Sequence, residues 1–377
     1  MLNKLAAHLP YLPMLTCLFL VNPTVSAQSN ASLSTIGSGM PSLGANNSAQ
    51  AKLTFTVSNT NELKQALNTA KRSTAGATIL LEDGIYPIKG RSLVIKQDHI
   101  TIRSASGQRD NVIITGEGMT QGVGNLIDVS ADHFSLIGVT LQNSKWHLIQ
   151  IRSEKDADYF FMDNCVLQDA GQQIIKVSHS KKVPYHSNNG MIQNSLFQYT
   201  AGIGPYYYIG GVDAHRAIDW VVKNNIFKDI SSPGKKVAEH AIHFWNDSRN
   251  TQSTGNIIIN SDRGIGYGMY NRENQHYGGL IADNVIIHTK ADNPFADTGI
   301  ILESSPNTVV KNNVLYMTTS YPNAIEYRFE HTKNVVIEGN ITNKAIKKRN
   351  GAEAILINNQ SGSKSLQAID TIRQAIK

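Results

Sequence analysis

Residues 238–249 read AEHAIHFWNDSR and bring Glu239, His240, His243, Trp245, Asp247 and Arg249 into a dozen positions. Imidazoles and carboxylates move protons near neutral pH, and an indole offers a flat apolar face with a single donor. With an arginine beside them, these are the parts of general acid–base chemistry on an anionic substrate. Ile242 and Phe244 alternate with His243 and Trp245. That period of two belongs to a β-strand with one face turned in and the other out. Whether the polar set forms a site depends on which strands the fold stacks beside this one.

The chain repeats. GVTLQN from Gly138, NCVLQD from Asn164, NSLFQY from Asn194, NNIFKD from Asn224, NIIINS from Asn256, NVIIHT from Asn284, NVLYMT from Asn313 and NITNKA from Asn340 recur after 26 to 32 residues. Between them lies a second series of short strands: LIDVS, LIQIRS, IIKVSHS, GVDAHR, AIHFWND, GYGMYN, GIILES and AIEYRF. A unit this small cannot bury its own apolar side and must stack on its neighbours. The pattern therefore specifies an all-β chain, a right-handed parallel β-helix with one coil per repeat and coils ~4.8 Å apart. Propeller blades need a longer repeat, and a jelly roll does not repeat at all. The recurrent asparagine has a physical reason, since its amide can bond backbone groups of the next coil and build an internal ladder. FTVSNTNELKQALNTAK predicts a strand, then a helix capped at Asn59 or Asn61 that buries Leu63, Ala66, Leu67 and Ala70. SLQAIDTIRQAIK predicts a closing helix, and both would cover sheet edges.

The opening FTVSNTNELKQALNTAK…TILLEDGIYPI, with the asparagine-led repeat behind it, resembles the secreted pectate-lyase-like superfamily over residues 53–345. Its first part is similar to the N-terminal cap of alginate and chondroitin lyases. The resemblance implies a β-helical scaffold shared by polysaccharide lyases, uronan epimerases, pectin esterases and polygalacturonases. A scaffold does not choose among those chemistries.

Aligning the second series gives an inward set running from Ile127 and Val129 to Ile242 and Phe244, then Tyr267 and Met269, then Ile325 and Tyr327. The outward positions stack in two columns. One reads Asp128, Gln150, Lys176, Asp213, His243, Gly268, Ile301 and Glu326; the other reads Ser130, Arg152, Ser178, His215, Trp245, Tyr270, Glu303 and Arg328. Long connections such as SHSKKVPYHSNNG, YTAGIGPYYYIGG, SSPGKKVAEH and NRENQHYGG border them, and long loops on a rigid scaffold form clefts. Such a groove suits carbohydrate, because aromatic rings stack on sugars and Arg or Lys pairs with uronate carboxylates. Trp245, Lys176, Arg152, Asp213, Glu239, Glu303, Glu326 and Arg328 are the expected substrate-binding residues. Bland readings stand beside these. A lone outward histidine is ordinarily solvated, and Glu326 with Arg328 reads as a surface ion pair. Asp262-Arg263-Gly264 reads as a turn held by a local ion pair, and Cys165 as a small core residue. Tyr206, Tyr207 and Tyr208 read equally as loop packing or sugar stacking.

A lyase acting on a uronate removes the proton next to the carboxylate. It needs a cation or metal to neutralise the acid, a base for the proton and an acid for the leaving oxygen. Arg216, Arg272, Arg152 or Lys176 can neutralise, His243 or His215 can serve as base, and Tyr270 as acid. An epimerase uses the same parts and returns the proton from the other face. AIHFWND and GYGMYN lack the lysine and arginine of the similar lyases, and the Asp pair and Gly-His-Gly of polygalacturonases are absent. Calcium is allowed by the resemblance, but no acidic cluster marks a calcium site and no metal motif is expected. A hydrolase would need two carboxylates, for which Glu303 with Glu326, or Asp213 with Glu239, stand on adjacent coils. A non-catalytic glycan-binding protein is the third class.

The 377 residues fit one long repeat domain. A formal charge of +6 favours anionic partners, while the absence of any block of like charges argues against a nucleic-acid tail. Lys4, the apolar run Leu12 to Val21 and the small residues Val25-Ser26-Ala27 read as a signal peptide over 1–27, cut before Gln28 and with Cys17 inside its core. Residues 28–52 are a Ser/Gly/Asn-rich leader, 53–345 the β-helix and 346–377 a C-terminal cap or tail. No later apolar run is long enough to span a bilayer, so no membrane partner is expected. The mature chain keeps one cysteine, Cys165, and no disulfide. The expectation is a secreted or periplasmic monomer that acts on an acidic polysaccharide.

Overall fold

The computed structural model describes residues 51–362, except 291, 292 and 294. The signal peptide, nearly all of the leader and the helix expected over 365–377 lie outside the described residues.

Each coil gives one strand to each of three long sheets of twelve, ten and eleven strands, and every pairing among them is parallel. A fourth, four-stranded sheet lines the middle coils, formed by Ser187–Asn188, Ala217–Ile218, Ser248–Arg249 and His276–Tyr277. Inward apolar residues stack like on like along the axis. Leu167, Phe197, Phe227, Ile258, Ile286 and Leu315 occupy successive rungs of one sheet and are all buried. Cys165 is buried and unpaired, as a small apolar residue would be.

The first edge is covered as the pattern predicts. The helix Thr60–Ala70 buries Leu63, Ala66, Leu67 and Ala70. Asn59 is its cap, accepting from Asn61 N and Glu62 N, while Glu62 reaches back to Ser58 N at 2.7 Å. At the other end, pairing continues past residue 345 through Ala345–Arg349, Ala354–Ile357 and Gln360–Ser361, which add a further coil.

The asparagine ladder exists, with its early rungs one residue later than the strand-opening pattern suggests. Asn225, Asn256, Asn284, Asn313 and Asn340 each accept at Oδ1 from the backbone N–H and the side-chain amide of the preceding member, or give those groups to the next. Ser195 and Cys165 occupy the same turn on earlier coils. Asn194 and Asn224 instead sit just before the ladder in the left-handed region, at φ 53° and 55°. Asparagine tolerates that conformation better than other side chains, so two unlike requirements of one turn select the same residue type.

Candidate active site

The ten-stranded sheet sets the outward columns. In order, one column reads Asp128, Gln150, Lys176, Asp213, His243, Gly266, Ile301 and Glu326. Gly266 therefore replaces Gly268 beside His243, and Gly268 lies level with Trp245 and pairs with Glu303. The expected register is off by two on this coil because GIGYGMY offers two apolar pairs. The inward pair is Ile265 and Tyr267, and the Tyr267 hydroxyl bonds Ser253 Oγ at 3.1 Å inside the coil. Met269 lies past the strand's end. Tyr270 leaves the column, yet its ring returns to within 5.8 Å of Trp245.

Asp213 is the centre of the cluster. Its Oδ2 accepts from Lys176 Nζ, and its Oδ1 accepts from Trp245 Nε1 at 2.7 Å. His243 Nδ1 lies 3.7 Å from the same Oδ1. Burial opposes ionisation of Asp213, but Lys176 beside it overrides burial and holds the carboxyl well below its usual range. Lys176 also donates to His215 Nε2 at 2.9 Å. A neutral imidazole that accepts at Nε2 carries its proton on Nδ1, so the Asn246 amide 3.1 Å away must turn its oxygen to that nitrogen. Burial lowers His215 to about 3 and keeps it neutral.

These groups were expected to be solvated, and they are not. Asp213, His215 and His243 are 3%, 7% and 1% exposed. Trp245 stacks over His243 at 5.4 Å, and His179 stacks over His215 at 4.5 Å. His243 Nε2 donates to Gly268 O at 2.9 Å. A histidine so covered cannot touch a polymeric substrate, which removes His243 as the base. Arg216 is likewise committed, donating to the carbonyls of Ser180, Val183 and Tyr185 and so bracing the loop before the next strand. Arg152 pairs with Asp128 and Glu154. What stays open is Tyr270, nearly half exposed at 47%, with the Arg272 guanidinium 5.1 Å from its ring. Tyr206, Tyr207 and Tyr208 are partly exposed on the loop preceding Asp213, with Lys236 Nζ 3.4 Å from the Tyr207 ring centre.

Beside this cluster, toward the C-terminal coils, lies a cavity of about 320 Å³ whose walls include Arg263, Tyr270, Glu303, Tyr321, Glu326 and Arg328. Glu326 and Arg328 are not a surface pair. Glu326 is fully buried and accepts from Tyr321 Oη at 2.5 Å, Asn323 Nδ2 at 2.6 Å and Arg349 Nη1 at 3.0 Å. Arg328 instead contacts Glu303, the residue level with it on the preceding coil. Burial lifts Glu303 to about 7 against the pull of Arg328. The supposed turn at Asp262-Arg263-Gly264 is the start of the strand Arg263–Gly268. Asp262 is buried and accepts from Ser232 N and Ala238 N, while Arg263 reaches Asp297 at 3.4 Å and Glu239 at 3.9 Å. Asp297, Tyr321 and Arg349 escaped sequence reasoning because two of them sit on connections, where strand alternation says nothing, and the third lies on a coil beyond the expected end.

No family model and no curated protein sequence matches the chain. Among solved structures, it is similar to an alginate lyase from Paenibacillus sp. (TM-score 0.52, 16% identity, covering 82% of this chain and 99% of that one). It is also similar to the A-module of a mannuronan C-5 epimerase from Azotobacter vinelandii (TM-score 0.51, 13% identity, 81% and 96% covered). At such identity the likeness concerns the fold, and the chain shares with these proteins a parallel β-helix.

Proposed function

We propose that the protein is an exported carbohydrate-active enzyme that cleaves an acidic, uronate-containing polysaccharide by β-elimination. The observation that carries this reading is the exposed Tyr270 side chain, whose ring lies 5.8 Å from that of Trp245 and which also walls the arginine-bearing cavity. Trp245 and Tyr270 offer faces for sugar rings, and the exposed Arg272 offers a cation for the uronate carboxylate. With that charge neutralised, the Tyr270 oxygen takes the proton from the carbon next to the carboxylate while its own hydroxyl proton passes to the leaving glycosidic oxygen. The bond from the neighbouring carbon to that oxygen breaks and a carbon–carbon double bond forms. Asp213, Lys176, His215 and His243 sit underneath and fix Trp245 in place; they are positioning residues. That proteins of this fold include an alginate lyase and a mannuronan epimerase supports the substrate class.

A panel of acidic polysaccharides incubated with the mature protein tests the reading. An unsaturated, ultraviolet-absorbing product from one of them is expected, and Tyr270→Phe should lower turnover by about 10²–10⁴-fold with folding intact. A second reading has one specific support: Glu303, raised to about 7 in the cavity, has the pKa of a general acid. New reducing ends without ultraviolet absorption, lost in Glu303→Gln and retained in Tyr270→Phe, would establish hydrolysis instead. A change of uronate configuration without cleavage would establish epimerisation.

A further inference from the structure

His240 has no role in the chemistry above, and its surroundings are unusual. It is 4% exposed, and among the described residues neither Nδ1 nor Nε2 has a hydrogen-bond partner. A buried imidazole normally bonds through at least one nitrogen, because an unmade hydrogen bond inside a protein is costly. The ring is nevertheless given its space deliberately. A Cβ placed on Gly266 would lie 2.6 Å from His240 Nε2 and within 2.9 Å of two ring carbons, so only glycine leaves room for the imidazole there. Its ring centre is 4.4 Å from that of His243, and Glu239 precedes it in the chain. One donor atom from each of Glu239, His240 and His243 lies within 4.8 Å of the other two.

We propose that Glu239, His240 and His243 bind a divalent transition ion of the zinc type. Two imidazoles and one carboxylate form a donor set that leaves a fourth position of a tetrahedral ion open. The orientation of His243 agrees. Its Nε2 donates to the Gly268 carbonyl, which leaves Nδ1 as the lone-pair nitrogen, and metal-binding histidines are characteristically held by such a bond from the other nitrogen. That nitrogen lies 3.7 Å from the Asp213 carboxylate, too long for a hydrogen bond. Donors on one zinc ion sit about 3.4 Å apart, so the set must contract slightly. Glu239 can supply the movement: its side chain is 19% exposed, and its ion pair to Arg263 is long at 3.9 Å. Calcium and magnesium prefer oxygen ligands and do not suit this set. His240 also borders the 320 Å³ cavity, so the open position faces the space where a sugar carboxylate or a water would stand. The site does not depend on which reaction the enzyme performs.

Titration of untagged, chelator-treated protein with zinc, followed by calorimetry in the absence of any polysaccharide, tests it. One ion per chain is expected, with no comparable binding of calcium. Cobalt at the same stoichiometry should give visible absorption bands of a low-coordinate site. His240→Ala should weaken zinc binding at least about 100-fold, since losing even an outer partner of a ligand costs 10–100-fold. Glu239→Gln, a same-sized change at a partly exposed position, should weaken it by a similar order, and Gly266→Ala should do so by displacing the His240 ring. Absence of one-to-one binding, or unchanged affinity in both His240→Ala and Glu239→Gln, overturns the proposal. Because the readout is binding alone, its failure leaves the eliminase reading untouched, and the converse holds.

Discussion

Asn284 lies fully buried at the middle of the ladder, so its truncation measures what the ladder contributes. Its Oδ1 accepts from Asn256 N at 2.9 Å and Asn256 Nδ2 at 3.0 Å; its Nδ2 donates to Ser253 O at 2.8 Å and Asn313 Oδ1 at 2.9 Å. In Asn284→Ala, Asn256 Nδ2 keeps Val222 O and Asn313 Oδ1 keeps the Asn284 backbone N–H. The Asn256 backbone N–H keeps nothing. An orphaned buried donor costs about 1–3 kcal/mol and each of the two weakened partners about 0.5–1 kcal/mol, so a loss of about 2–5 kcal/mol is expected. Denaturant unfolding followed by far-ultraviolet circular dichroism reads it, with unchanged slope as the check that the unfolded state is the same. Asn256→Ala should behave alike, whereas Asn68→Ala, on the exposed face of the capping helix, should stay within about 0.5 kcal/mol. Losses below about 0.5 kcal/mol at both ladder positions would show that stacked strands, and not the amides, hold the coils together.

Two further outcomes follow. His276 is buried and bonded at both nitrogens, to Thr251 Oγ1 and Ser305 Oγ, and burial lowers it to about 3. The unfolded chain therefore binds an extra proton below about 6.5, so stability is fully present above that pH and falls by about 1.4 kcal/mol per unit as pH drops toward 4. His276→Gln should remove that increment of slope, and an unchanged slope between pH 6 and 4 would mean His276 is protonated in place. For export, N-terminal mass analysis of secreted material should find Gln28 as the first residue; an acylated Cys17 would refute that processing.

The scaffold was legible because its causes repeat. Every coil needs two inward apolar residues per strand and a turn that can be satisfied from inside, and each requirement prints a mark at an interval of about one coil. Where an error arose, it arose from degeneracy within one mark. Asn194 and Asn224 share a residue type with the ladder but meet a different demand, that of a left-handed turn. GIGYGMY supports two inward pairings that share Tyr267, and the strand register selects Ile265 as its partner, opposite Ile242, leaving Met269 past the strand's end. A single-coil slip of two residues keeps the in–out alternation intact, so nothing local in the sequence betrays it.

The site was only half legible, for a reason that lies in the difference between facing outward and being exposed. Strand alternation reports the first. Whether an outward residue meets water depends on what the connections lay over it, and those have no period. His243 and Asp213 face outward and are covered by Trp245, while Tyr270, which belongs to no column, is the group that reaches solvent. Burial then changes the chemistry each group can offer. An exposed histidine is a proton acceptor near neutral pH, whereas His215 under His179 and Trp245 is a fixed neutral acceptor for Lys176. His240 carries the argument furthest. In the sequence it is one of several polar residues in the stretch 238–249, and nothing there sets it apart from the others. Only the coil stacked beside it, with glycine at position 266, shows that space was kept for its ring.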